Sequence, residues 1–442
     1  MTRDTGVNEI FSARSHAACI LRFEAALARA EAAAGIVPSD DAKAIEDACR
    51  VERLDMDAVG RDAMRAGTVV VPILEQLRAR LPESARAYVH LAATSQDAID
   101  TAFVLQMRDG LDELESELHE TAHAAAALAE HHRRSVMPGR TLMQHGVPIT
   151  FGLKAARWLG ALTRQIETIR SLRPRALVLQ FGGAAGTLAA LGDHGTDVAR
   201  WLAAELDLPM PDMPWHTERD RPASVVAALG VTAGVLSKIA GDVVLLAQTE
   251  IAEVAERQAV GKGVSSAMPQ KRNPVDAVNA IASARLAIGA VPVVLSGMAH
   301  EHERAAGGWQ AEWTAIPDAF RHTLRAAASV RSAISGLEVD TDRMRANLSA
   351  GLGMLMAESL TTALARGLGH PRARAIVHDL VARCTTDGIP FRDAAQADAR
   401  VTQSLKADAL ERALDPTAYL GATDEFIDRA LQSWRTLNGV EG

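Results

Sequence analysis

The chain has 442 residues and a formal net charge of −8, which argues against nucleic acid or an anionic membrane as its principal partner. Its aromatic share is only 4%, with two tyrosines, so its cores must be built from Ala, Leu, Val and Ile, which favours close-packed helices over a β-sandwich. Three scattered cysteines (Cys19, Cys49 and Cys384) without a C-x-x-C pair, no apolar signal segment at the start, and no uninterrupted apolar run of about 18 residues predict a reduced, cytoplasmic protein that spans no membrane.

Helix is predicted nearly throughout. Leu21–Ala34, closed by Gly35 and followed by Pro38, belongs to a helical N-terminal domain over residues 1–109. Leu111–Met137 runs without Gly or Pro between Gly110 and Pro138. Its Leu111, Leu114, Leu118, Thr121, Ala125 and Leu128 recur at the spacing of one buried stripe, and such a helix is roughly 40 Å long. Ile149–Leu172, Ala223–Glu256, Val275–His300 (kinked at Pro292) and Trp313–Ser335 complete five long helices, read as a rod-shaped bundle over 110–340. Shorter helices punctuated by Gly351, Gly353, Gly367, Gly369, Pro371 and Pro390 predict a small C-terminal helical domain over 341–442. No internal repeat and no βαβ pattern is present.

The most chemically loaded stretch is the polar loop 261–274, which carries Ser265, Ser266, Lys271, Arg272 and Asn273 between two long helices. Gly261 and Gly263 free its backbone, and Pro269 and Pro274 stop the flanks from continuing as helix. Hydroxyls, cations and amides on such a loop suit an anionic substrate that must be enclosed and have a proton moved, although solvated linkers share this composition. Thr94-Ser95-Gln96-Asp97 stands ahead of the Leu111 helix and reads either as a helix cap or as donors to a carboxylate. Gly139-Arg140-Thr141-Leu142-Met143-Gln144-His145 links the first two long helices. Arg219 and Arg304 lie in charged segments at helix ends, where a guanidinium can clamp a carboxylate with two bonds or simply join a surface ion pair. Gly182-Gly183-Ala184-Ala185-Gly186-Thr187 lacks a preceding strand and a following Gly-Lys, so it reads as a turn between helices and not as a phosphate loop. His300 and His302, at i, i+2, and the adjacent His131 and His132 lack the i, i+4 spacing of a metal helix, and no metal or other cofactor is expected.

Taken in order, Ser265-Ser266-x-Met268-Pro269-x-Lys271-x-Asn273-Pro274 closely resembles the signature of the fumarase/aspartase superfamily. Thr94-Ser95-Gln96-Asp97 resembles its T-S-x-D motif, and Gly139-Arg140-Thr141-Leu142-Met143-Gln144 its G-R-T-H-x-Q motif, with Leu142 where relatives carry a proton-handling histidine. The resemblance covers the whole chain. It implies an all-α, three-domain fold around a central five-helix bundle, and a homotetramer with a twenty-helix core whose active sites each draw motifs from three subunits. The implied chemistry is β-elimination, or its reverse, next to a carboxylate. Ser265 would be the acid/base and Lys271 its catalytic partner. Thr94, Ser95, Gln96, Thr141, Gln144, His145, Arg219, Asn273 and Arg304 would hold a di- or tricarboxylate.

Within the superfamily, Arg22–Glu31, Ala93–Asp97, Val147–Lys154 and Glu301–Arg304 running into Gly308–Trp313 look most like the bacterial 3-carboxy-cis,cis-muconate cycloisomerases. Those enzymes close a tricarboxylate diene to a lactone in the breakdown of aromatic compounds. A missing histidine fits that step. Read backwards, it expels a carboxylate whose conjugate acid has a pKa of about 4 and needs no proton from the enzyme. A fumarate-releasing C–N or C–O lyase acting on a substituted succinate is the alternative, followed by a catalytically silent homologue.

Overall fold

The computed structural model describes residues 9–257, 263, 267–268 and 270–439. The chain is all-α, and among the described residues the only ladders are two short antiparallel pairs. Val136–Thr141 pairs with Gln144–Thr150, and Val254–Ala255 with Glu338–Val339. Five long helices appear in the expected order: Ser95–His131, Phe151–Ala176, Asp220–Leu246, Val275–Gly297 and Gly308–Ser335. The predicted stripe is real. Leu111, Leu114, Leu118, Thr121 and Ala125 are buried, while Leu128 is half-buried.

Three expectations need correction. The first long helix begins at Ser95 and runs straight through Gly110, so the Thr94–Asp97 motif forms its opening turn instead of preceding it. Gly110 is there for packing: a Cβ at this position would lie 2.8 Å from the Phe320 ring and 3.0 Å from that of Phe11. The helix also stops at His131, because the stretch expected to extend it to Met137 becomes the first strand of a hairpin. His300 and His302 likewise sit in a loop, not on a helix.

The chain forms two compact units, each assembled from alternating segments. One comprises Met1–Leu118, Gln165–Ser237 and Asn279–Ala328; its helix Ala13–Ala33 buries Ile20, Leu21, Phe23 and Leu27. The other comprises His119–Arg164, Lys238–Val278 and Ser329–Gly442. Its C-terminal core packs the helices Ala357–Leu368 and His370–Asp387 through Leu360, Leu364, Leu380 and Cys384, with Phe391 and Val401 closing the end. Asp340 starts the helix Thr341–Ser349 by accepting from the Arg343 amide at 2.8 Å.

Asp220–Leu246, Val275–Gly297 and the span Thr341–Leu368 are long and apolar enough to cross a bilayer, on length and composition alone. None of the three is an uninterrupted apolar run, since Asp242, Arg285 and Glu358 are among the charged residues that break them. Val275–Gly297 carries an outward apolar row, with Val278, Leu286, Ile288, Val293 and Leu295 all more than two-fifths exposed.

Candidate active site

In the first unit the Thr94–Asp97 motif is a hub. Thr94 precedes the helix, and its backbone N–H donates to Asp97 Oδ2 at 3.0 Å, which is half of a capping box. Asp97 is fully buried and also accepts from the Gly182 amide (3.0 Å), the Gly183 amide (2.9 Å) and His216 Nε2 (2.7 Å). This explains the glycine pair. A Cβ on Gly182 would come within 2.7 Å of Pro214 and 2.9 Å of His216, and Gly183 has φ +69° with the Ala92 carbonyl 2.9 Å from its would-be Cβ. The turn expected at 182–187 is therefore shaped to present two amides to Asp97.

Arg304 joins the same end. Its Nη1 donates to the Thr94 hydroxyl at 2.7 Å and its Nη2 to the Ala184 carbonyl at 3.0 Å, and the guanidinium remains partly exposed. Thr94, Ser95 and Arg304 are thus gathered at one half-exposed helix start. The start of a long helix and a cation at one place can receive a carboxylate.

Gln96 and Arg219 are placed otherwise. Gln96 is fully buried and its amide N–H groups go to the His216 carbonyl (2.8 Å) and Asp100 (3.1 Å). Arg219 is 3% exposed and lies between two carboxylates. It donates to Asp100 at 2.7 and 3.1 Å, and to Glu312 at 3.1 and 2.5 Å, with its guanidinium 5.0 Å from the Trp215 ring centroid. Trp309 Nε1 donates to Asp100 at 3.0 Å, and the buried His300 ring lies 3.8 Å from Glu312. Burial raises the pKa of Glu312 against the opposing pull of Arg219. Arg219 therefore holds the floor of this end together instead of facing a substrate. Asp97 was quoted as part of the T-S-x-D motif but not as a site residue, and Asp100, His216 and Glu312 were not assigned a role at all. For Asp100 the available signal was its i, i+4 spacing from Gln96 on one helix face.

The second unit holds the other motifs. The G-R-T-x-x-Q stretch is the tip of a β-hairpin in which Thr141 pairs with Gln144 and Arg140 with His145. The two tip residues, Leu142 and Met143, have φ of 49° and 65°, the left-handed pair of a two-residue hairpin turn usually made by Asn-Gly. Leu142, where the relatives' histidine would stand, is 98% exposed, and Thr141, Gln144 and His145 are exposed beside it. Loss of hydration, and then the Arg140 guanidinium, hold the His145 pKa below its ordinary value. Arg140 itself is spent on the buried Glu253 through two bonds of 2.9 and 2.7 Å, with Asn347 adding a third at 2.8 Å.

Ser265 lies outside the described residues. Near it in sequence, Lys271 is exposed and lines a cleft with Met268, Gln270, Arg272 and Asn273. The Asn273 side chain donates to the Gly263 carbonyl at 3.1 Å, so it shapes the loop stem. The Glu256 carboxylate accepts from the Asp276 and Ala277 amides at 3.2 and 2.8 Å and caps the next helix. Among the described residues, no group of three or more His, Cys, Asp and Glu side chains is arranged to hold a metal ion.

A family model described as "Lyase" matches residues 4–289, and one described as "Adenylosuccinate lyase C-terminus" matches residues 353–430. The chain belongs to the fumarase/aspartase superfamily of lyases. It is an enzyme of that superfamily, and its fold matches those of solved members. A 3-carboxy-cis,cis-muconate cycloisomerase from Pseudomonas aeruginosa is 44% identical, over 97% of this chain and 94% of the relative. The crystal structure of a 3-carboxy-cis,cis-muconate lactonizing enzyme from Pseudomonas putida superposes with a TM-score of 0.94 at 42% identity, covering 98% of both chains. A nitrosuccinate lyase from Streptomyces davaonensis is 40% identical, over 97% of this chain and 92% of that one.

Proposed function

We propose that this lyase-superfamily enzyme closes 3-carboxy-cis,cis-muconate to 4-carboxymuconolactone. A carboxylate oxygen of the substrate adds its electron pair to the carbon β to another carboxylate. The displaced π electrons move into that second carboxylate and give an aci-carboxylate dianion. Ser265 then delivers a proton to the α carbon and is itself reprotonated from solvent. In this reading Lys271 supplies a cation for the growing negative charge, and the Thr94, Ser95 and Arg304 end offers a carboxylate site. The observation that carries the reading is Leu142 at the exposed tip of the hairpin. An enzyme expelling hydroxide or an amine needs an acid there, whereas lactone chemistry exchanges only a carboxylate. Near-full-length likeness to cycloisomerases supports it.

The same logic admits nitrite as leaving group, and the 40% likeness to a nitrosuccinate lyase favours that as the second reading. Incubation of the purified protein with 3-carboxy-cis,cis-muconate is expected to remove the ultraviolet absorbance of the conjugated diene. An unchanged spectrum, with fumarate formed from nitrosuccinate, would establish the second reading in its place.

The working form is proposed to be a homotetramer in the cytoplasm. The outward row Val278, Leu286, Ile288, Val293 and Leu295 needs cover, and exposed Arg285 in the middle of the same helix favours protein over lipid. An arginine at the centre of a bilayer-spanning helix costs about 2.5–3.5 kcal/mol on insertion scales. Sedimentation equilibrium is expected to return four times the chain mass; a monomer would remove the assembly from the proposal.

A further inference from the structure

Just ahead of the Thr94 hub the backbone is forced. His90 has φ +61° and Ala92 φ +56°, two non-glycine residues in the left-handed region within three positions. Neither turn chemistry nor glycine explains them. Something outside the turn must hold it, and two contacts do. Arg78 Nη2 donates to the Val89 carbonyl at 2.9 Å, and the His90 ring sits 2.7 Å from Glu24 Oε1, with side-chain exposures of 12% and 1%.

Glu24 lies on the helix Ala13–Ala33, remote in sequence from the motif, and no step of the proposed reaction uses it. Its other oxygen is buried with no hydrogen-bond partner, as are both oxygens of Glu31, two turns further along the same helix. Burial and then Glu24 push the Glu31 carboxyl up to about 9, so Glu31 is neutral at ordinary pH. Among the described residues, His90 is the one hydrogen-bond partner of the Glu24 carboxylate. The turn it fixes leads within four residues to Thr94, whose hydroxyl accepts from Arg304 and whose backbone N–H donates to Asp97.

We infer that Glu24 and His90 are positioning residues, a buried carboxylate–imidazole latch that holds the strained 90–93 turn and thereby fixes Thr94, Ser95 and Arg304 at the carboxylate end of the site. The inference rests on the proposed reaction only for its kinetic readout; the latch itself is a property of the fold. The groups facing the imidazole are Glu24 from the Ala13–Ala33 helix, Asp97 from the Ser95–His131 helix and Arg78 from the Val70–Arg78 helix. Burial opposes its charge, but Glu24 and Asp97 together raise its pKa above the ordinary value. The sign follows. The charge-pair contribution of the latch is fully present below the ordinary imidazole pKa and is lost as pH rises through the raised one.

The test uses Glu24→Gln and His90→Asn in the full-length protein, since asparagine accepts the left-handed backbone and removes only the ring. Both are expected to lower kcat/KM on 3-carboxy-cis,cis-muconate about 10- to 100-fold with helix content retained, the scale of a misplaced binding group. Glu24→Gln should also move the alkaline limb of the pH profile to lower pH. A merely structural role would not shift that limb. Hydrogen exchange of the 90–95 amides, corrected for the intrinsic pH dependence of exchange, should accelerate in wild type as pH rises and be fast throughout in both variants. Unchanged exchange and an unmoved limb would overturn the latch. Exchange needs no substrate, so a wild type inactive on the diene would sink the functional reading while exchange still decides the latch.

Discussion

Replacement of Arg219 by alanine is expected to lower folding stability by about 3–5 kcal/mol, because it leaves two buried carboxylates without their counter-charge. Asp100 and Glu312 are each 1% exposed and receive four hydrogen bonds from this one guanidinium. The loss should appear as a lower midpoint in both thermal and urea unfolding. It should also depend on pH in a definite direction. Burial already raises the Glu312 carboxyl, and the variant removes the Arg219 pull that opposes this, so the native variant binds more protons than the unfolded chain and the deficit shrinks as pH falls. Adding Asp100→Asn to the variant should recover part of the deficit, since one of the uncompensated charges is then gone. A deficit that is small, or the same at pH 5 and pH 8, would mean that Arg219 faces solvent or a ligand instead of closing this cluster.

The cluster also shows what the sequence does and does not reveal. The long helices were legible because their stripes repeat over many turns, as Leu111, Leu114 and Leu118 do, and a local period survives any tertiary arrangement. Gly110 misled because its reason is remote: it makes room for Phe11 and Phe320, which only the fold brings there. The hairpin was missed for a related reason. Its turn is made by Leu142 and Met143, residues that rarely enter the left-handed region, so no Asn-Gly signal marked it. Arg219 read as a substrate ligand because a lone arginine at a helix end carries no record of its partners, and Asp100 and Glu312 lie 119 and 93 residues away. Motif order succeeded where composition could not. Thr94, Ser95 and Arg304 do meet at one helix start, and Asp97, quoted as part of the motif, is the residue that binds the Gly182–Gly183 turn to it.

Ser265→Ala is expected to reduce kcat on the diene by about 10²–10⁴-fold, the usual contribution of a positioned acid or base, while KM changes little. His145→Ala is expected to leave kcat within a few-fold, and the contrast between the two separates the reaction classes. In a lyase that expels hydroxide or an amine, two proton transfers are needed, one at carbon and one at the leaving group, so two residues should each be costly. In lactone closure only the carbon proton is transferred. His145, exposed on the hairpin and with its pKa held low, stands three residues beyond the vacant position at Leu142. If it served as an acid, activity would fall as pH rises through that lowered pKa, and His145→Ala would remove the limb along with most of the rate. A wild-type profile without such a limb, paired with a dead Ser265→Ala variant, fits a leaving group that departs unaided. Loss of activity in both variants would place proton donation on the hairpin after all, and the substrate would then have to be sought among succinates bearing a strongly basic substituent.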